Sequence, residues 1–306
     1  MINRILIRIK VLQIFYAYSQ RNDGNLQAAE KELLLSMNKA YDLYNYLLLI
    51  IVLLSNEGQR RVNKKYCKVQ SVELNQNSRL YNNRFSEQLR NNEQLCNFAK
   101  QKGTFWADDS PHFIRNLLNK ILESAIYVEY ITKEDSYDTD KEFWCKTFKN
   151  LIIEDEDFIE MIENKSIYWI DDLDMIASFI LKSIKHFTAE SRPNDKLLPM
   201  FREDEDKEYA IKLLRYTILE SEENRERITC LIENWDIERL AQIDLYIMQI
   251  AISEMLNFPS IPVNVTLNEY IDLSRYYSTP KSPRFINGTL DAVVKELQRE
   301  GKLFKD

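Results

Sequence analysis

Only five glycines punctuate the 306 residues (Gly24, Gly58, Gly103, Gly288 and Gly301), and no proline occurs before Pro111. Turns draw heavily on both residue types, so a many-stranded chain that reverses every few residues would need more of them. The scarcity predicts long helices, and the apolar spacing agrees. Ile5, Ile9, Leu12 and Tyr16 share one face of a helix over Asn3–Gln20, while Arg4, Arg8, Phe15 and Tyr18 share another, about 100° round. A second helix is predicted from about Leu26 to Asn56, closed by Gly58 as a C-cap. Its run from Tyr46 to Leu54 is too short to cross a bilayer and reads as a buried helix.

Composition then changes. From Gln59 to Lys102 ten Lys/Arg stand against three acids among many Asn and Gln. That is a solvated helix face or, alternatively, a patch that extends an RNA surface. Helical patterns follow over Ile114–Ile131, Phe143–Ile153 and Leu173–Phe187. Eleven acids against three lysines between Glu134 and Glu163 read as a soluble acidic surface, since no ligand spacing accompanies them. Pro193 and Pro199 mark a linker at Ser191–Pro199, and a long helix is predicted from Glu203 to Asn234.

The C-terminal segment reads as three helices: Ile237–Leu256, Val263–Tyr277 and Arg284–Glu300, separated by Pro259, Pro262, Pro280 and Pro283. Glu254 falls on the apolar stripe of Leu240, Ile243, Ile247 and Ile250. A carboxylate there must find hydrogen bonds, so Glu254 is expected to anchor a loop or pair with a basic side chain, a structural role. Gly288, inside the last helix, costs roughly 1 kcal/mol relative to alanine, and close backbone approach by a neighbour is the expected reason.

Four blocks carry a resemblance: Trp235–Asp244 (WDIERLAQID), Ile250–Glu254 (IAISE), Ile261–Glu269 (IPVNVTLNE) and Arg284–Asp291 (RFINGTLD). In order and spacing they resemble the C-terminal half of the NusB family. The opening Val11–Tyr16, preceded by Arg4 and Arg8, resembles that family's N-terminal Arg-rich helix. The resemblance implies an all-α fold, a two-subdomain helical bundle, here with an additional helical region inserted. Residues 1–57 and 203–306 would form the core and 58–202 the insertion.

It further implies a transcription antitermination factor that binds boxA-type single-stranded nascent RNA together with the ribosomal protein NusE, within the RNA polymerase antitermination complex, supporting rRNA transcription. By position, Arg4, Arg8, Lys281, Arg284 and Phe285 would meet RNA. Tyr16, Glu238 and Asp244 would face the protein partner. Glu254, Asn268, Glu269, Asn287 and Gly288 would be structural signature positions, with Asn268, Glu269 and Asn287 serving as helix-end and packing residues. The first helix and the last interhelical loop would then converge on one cationic, aromatic-bearing ledge, and Arg8→Glu would weaken RNA binding without harming the fold.

Formal net charge is −7, so RNA binding needs a local basic face. NusB-like domains also open an rRNA cytosine methyltransferase, but that chemistry needs a Gly-rich nucleotide fold and a catalytic cysteine. No GxGxxG or P-loop occurs here, the four cysteines form no CxxC pair, and the two histidines have no ligand spacing. No enzyme activity, metal or cofactor is expected, and no signal peptide or membrane span, which points to the cytoplasm. The competing reading is a helical protein-interaction scaffold that does not bind RNA; an accessory domain of RNA modification ranks behind it.

Overall fold

The computed structural model describes residues 1–21, 24–66, 79–104, 112–232 and 241–303. The fold is all-α; an isolated parallel bridge joins Ile2 and Phe201, and no β-strand forms among the described residues. The chain divides into two compact units: one holds Met1 and Asn38–Met200, the other Ile2–Met37 and Phe201–Asp306. The first division therefore falls at Met37/Asn38, not at the expected residue 58. The reason is that helix α2 runs unbroken over Leu26–Tyr66 and contributes to both units. Gly58 does not cap it. The glycine is buried within the helix, where a Cβ would meet Leu80 Cδ2 at 3.5 Å.

In the unit spanning Asn38–Met200, the α2 run Leu47–Ile51 is buried, as its unbroken apolar character demands. Around it stand α3 (Arg84–Asn91), α4 (Glu93–Lys102), α5 (Phe113–Leu122), α6 (Ala125–Thr132), α7 (Tyr137–Thr147), α8 (Glu156–Lys165) and α9 (Leu173–His186). A π-helical turn, Phe148–Ile152, follows α7. The predicted helix over Ile114–Ile131 is two helices, because Ser124 accepts a hydrogen bond from the Tyr127 amide and starts a new one. Asn83 and Asn92, both fully buried, cap α3 and α4 in the same way. Part of the Asn-rich composition is therefore helix punctuation rather than solvated surface. Tyr130 and Phe143 stack at 4.3 Å, with Trp144 against Phe143 at 5.1 Å.

The other unit contains α1 (Arg4–Gln20), the start of α2, α10 (Asp204–Leu219), α11 (Ser221–Leu231), α12 (Gln242–Asn257), α13 (Val263–Tyr277) and α14 (Ser282–Arg299). Here too a predicted long helix is two: α10 ends at Leu219 and α11 begins at Ser221. α12 is the central element, packed by α1, α10, α11, α13 and α14. Its residues from Tyr246 to Met255 are all buried, polar Gln249, Ser253 and Glu254 included. Among the described residues no helix is long and apolar enough to cross a membrane. No group of three His, Cys, Asp or Glu there could hold a metal ion.

Candidate nucleic-acid interface

The centre of the second unit is an ion pair. Arg8 is 3 % exposed and Glu254 0 %. Arg8 Nε donates to Glu254 Oε2 at 2.8 Å and its Nη2 to Oε1 at 2.9 Å, the bidentate fork that a guanidinium makes with a carboxylate. Arg8 Nη1 reaches Glu269 at 3.1 Å, and the guanidinium lies over the Tyr270 ring. Glu254 also accepts from the Thr266 hydroxyl at 2.8 Å, from Tyr270 at 3.0 Å and from Tyr209 through a short contact. Burial pushes the Glu254 carboxyl up, but Arg8 and the Tyr209 and Thr266 hydroxyls outweigh it and hold the group below its ordinary value. Burial and the carboxylate together push the Tyr209 and Tyr270 hydroxyls well up, so both remain protonated donors.

This corrects the expectation that Arg8 faces RNA. Its guanidinium is occupied by carboxylates and joins α1 to α12 and α13. Arg4, one turn earlier, is the exposed arginine of α1: its side chain is 43 % exposed, 3.8 Å from Asp206 and over the Tyr209 ring.

The start of α14 is fixed separately. The Ser282 hydroxyl donates to Asp244 Oδ2 at 2.7 Å, and Ser278 and Thr279 bond to Ser282 at 2.9 and 2.8 Å. The loop joining α13 to α14 is thereby pinned to the first turn of α12. Asp244 is 4 % exposed and ties these elements together, so it does not face a partner as expected. Glu238 lies outside the described residues. Tyr16 is 44 % exposed and meets Tyr246 edge-on at 5.9 Å.

Lys281 and Arg284 stand exposed on the pinned loop and the first turn of α14, and neither takes part in an ion pair among the described residues. Phe285 is half-buried beside them. Tyr276, at the end of α13, is the most exposed large hydrophobic side chain among the described residues, at 85 %. Sequence reasoning missed it, although it breaks the apolar spacing of α13 next to a double-proline loop. Of the remaining signature residues, three do not pack as expected. Asn268 and Asn287 are exposed, and Gly288 faces open space with nothing within 4 Å of a built Cβ. Glu269 is half-buried against Arg8.

Arg4 does not join this surface. It lies with Tyr209, whose ring packs on Phe258 just beyond the end of α12, whereas Ser282 bonds to Asp244 in the first turn. At 1.5 Å per residue those ends of α12 are about 20 Å apart. The expected single ledge is thus two separate places, and the exposed end of α1 that shares the Asp244 end of α12 is the one bearing Tyr16.

A model of the NusB family matches residues 169–295. The chain is 35 % identical over 108 residues to a transcription antitermination protein NusB of Salinibacter ruber, covering 35 % of this chain and 68 % of that protein. To the protein of the same name from Thermoanaerobacter sp. it is 33 % identical over 122 residues, 39 % of this chain and 86 % of that one. With that of Natranaerobius thermophilus it shares 46 % over 67 residues, 22 % of this chain and 48 % of the relative. No solved structure matches.

Proposed function

We infer the function of this chain from its family: it belongs to the NusB family of transcription antitermination proteins. The activity we propose is binding of boxA-type single-stranded RNA in nascent transcripts, jointly with the ribosomal protein NusE, as part of an antitermination complex that supports rRNA transcription. The observation that carries this reading is the head of α14. Lys281 and Arg284, in no ion pair among the described residues, stand with Phe285 at a helix start fixed by Ser282 and Asp244, and the exposed ring of Tyr276 closes the helix before it. Single strands are held by such a combination, cations on phosphates and rings against bases.

Gly288 fits the same reading. An exposed glycine inside a helix stabilises nothing in the free protein. One turn beyond Arg284, it leaves bare backbone for an RNA strand or a partner chain to approach. Tyr16 and the end of α1 offer an exposed ring for the protein partner near the same end of α12.

A fluorescence-anisotropy titration with boxA-like RNA, with and without NusE, tests the proposal. We expect weak binding by the chain alone and a marked gain with NusE, both reduced by Lys281→Ala with Arg284→Ala. No RNA signal even with NusE present would sink it and favour the scaffold reading.

A further inference from the structure

The unit spanning Asn38–Met200 contains a cleft of about 440 Å³, formed by α2, α4 and the segment after Pro193. That volume suits a small ligand. One wall holds Asn45, which is 2 % exposed, donates to the Tyr41 carbonyl at 2.8 Å and keeps a carbonyl oxygen, Oδ1, with no hydrogen-bond partner.

The framework around it is fixed. The Tyr41 hydroxyl donates to the Leu198 carbonyl at 3.1 Å, and Gln94 bridges, donating to Tyr41 at 2.9 Å and accepting from the Leu197 amide at 3.2 Å. Phe98 is steadied edge-on by Tyr46 at 4.9 Å.

The lining is chemically selective. Exposed Asn97 and Gln101 add carboxamides, each both donor and acceptor, beside buried Asn45 and the rings of Tyr41 and Phe98. Glu93 and Asp195 contribute acids and Lys196 a single base. An apolar ligand would strip water from these amides without replacing it. A polyphosphate would meet more negative than positive charge. A planar ring with a mixed donor and acceptor edge, carrying hydroxyls and at most one phosphate, meets a complement at every part.

We propose that this cleft binds a ribonucleoside or its monophosphate. The base lies against Phe98 with its edge on the carboxamides, Asp195 takes sugar hydroxyls, and Lys196 meets the phosphate. Carboxamides read base edges elsewhere by the same donor–acceptor pairing, and aromatic rings stack on bases. The site does not depend on the RNA surface at α14, so either can fail alone.

Isothermal titration of the full chain with the four ribonucleosides, their 5′-monophosphates and ATP tests it. At least one nucleoside or monophosphate should bind with a dissociation constant below about 1 mM, and ATP should bind more weakly. Phe98→Leu and Asp195→Asn should each weaken that binding about tenfold, the size of one lost stacking or charge-assisted contact. Asn97→Ala, at an exposed position, is a further variant, and thermal unfolding shows that each protein is folded. A tetranucleotide that competes better than the monophosphate identifies the source as an RNA chain; one that competes worse identifies a free nucleotide. No saturable binding by any nucleoside or monophosphate, or binding that folded Phe98→Leu and Asp195→Asn proteins retain in full, would overturn the proposal.

Discussion

Arg8 and Glu254 place two opposite charges where water does not reach, and neither can be removed alone without leaving the other uncompensated. Losing one partner of such a pair costs about 3–5 kcal/mol. Arg8→Glu, which sets a second carboxylate against Glu254 and Glu269, should therefore unfold the chain or lower its urea midpoint sharply. That reverses the expectation that the substitution touches only RNA binding; an unchanged midpoint would show that the pair contributes nothing. The pair also sets an acid limit. Glu254 is held below its ordinary value of 4.5. Stability from it is complete above that pH and drains away as pH falls through the lower folded value. Urea unfolding between pH 3 and pH 7 should show this loss, and Glu254→Gln, which cannot titrate, should flatten that part of the curve while starting from lower stability. Tyr276 belongs to the same scale with the opposite character. It is 85 % exposed, so Tyr276→Ala should leave unfolding unchanged and cost about 1–3 kcal/mol of RNA affinity if a base stacks there.

At the scale of elements, α13 and α14 were legible because prolines bracket them and their apolar positions recur at helical spacing. The end of α2 was not, since Gly58 carries the C-cap residue type yet continues the helix, packed near Leu80 from a later segment. The breaks at Ser124 and Glu220 were hidden by apolar spacing that continues across them. The site was half legible for a related reason. Arg4 and Arg8 are the same residue type one turn apart, and what separates a buried anchor from an exposed cation is Glu254, 246 positions away. Local pattern identified Glu254 as needing a partner and Arg8 as a cation, but not that each answered the other. Gly288 is the element-scale case that can be tested. With open space around its Cβ position, Gly288→Ala should raise stability by about 0.5–1 kcal/mol through helix propensity and a less mobile unfolded chain. If a strand or partner approaches that backbone, the more stable variant should also bind more weakly; equal binding would show the bare turn to be unused.

At the scale of the whole molecule, a net charge of −7 opposes any polyanion at long range, so attraction must come from a few short-range contacts. Of the four cations expected to serve RNA, Arg8 is consumed internally and Arg4 lies at the far end of α12, near Asp206. Lys281 and Arg284 remain. Each phosphate neutralised on a single strand adds about −0.7 to the slope of log affinity against log salt. The chain alone should therefore give a slope near −1.4, shallow for a nucleic-acid-binding protein, and Lys281→Ala with Arg284→Ala should bring it close to zero. If NusE is the partner proposed above and brings phosphate contacts of its own, adding it should steepen the slope without changing what those substitutions remove. Titrations from 50 to 200 mM salt, the range over which many-contact proteins lose orders of magnitude in affinity, are sufficient. A steep slope for the isolated chain that survives the double substitution would move the RNA contact away from the head of α14, to cations elsewhere on the molecule.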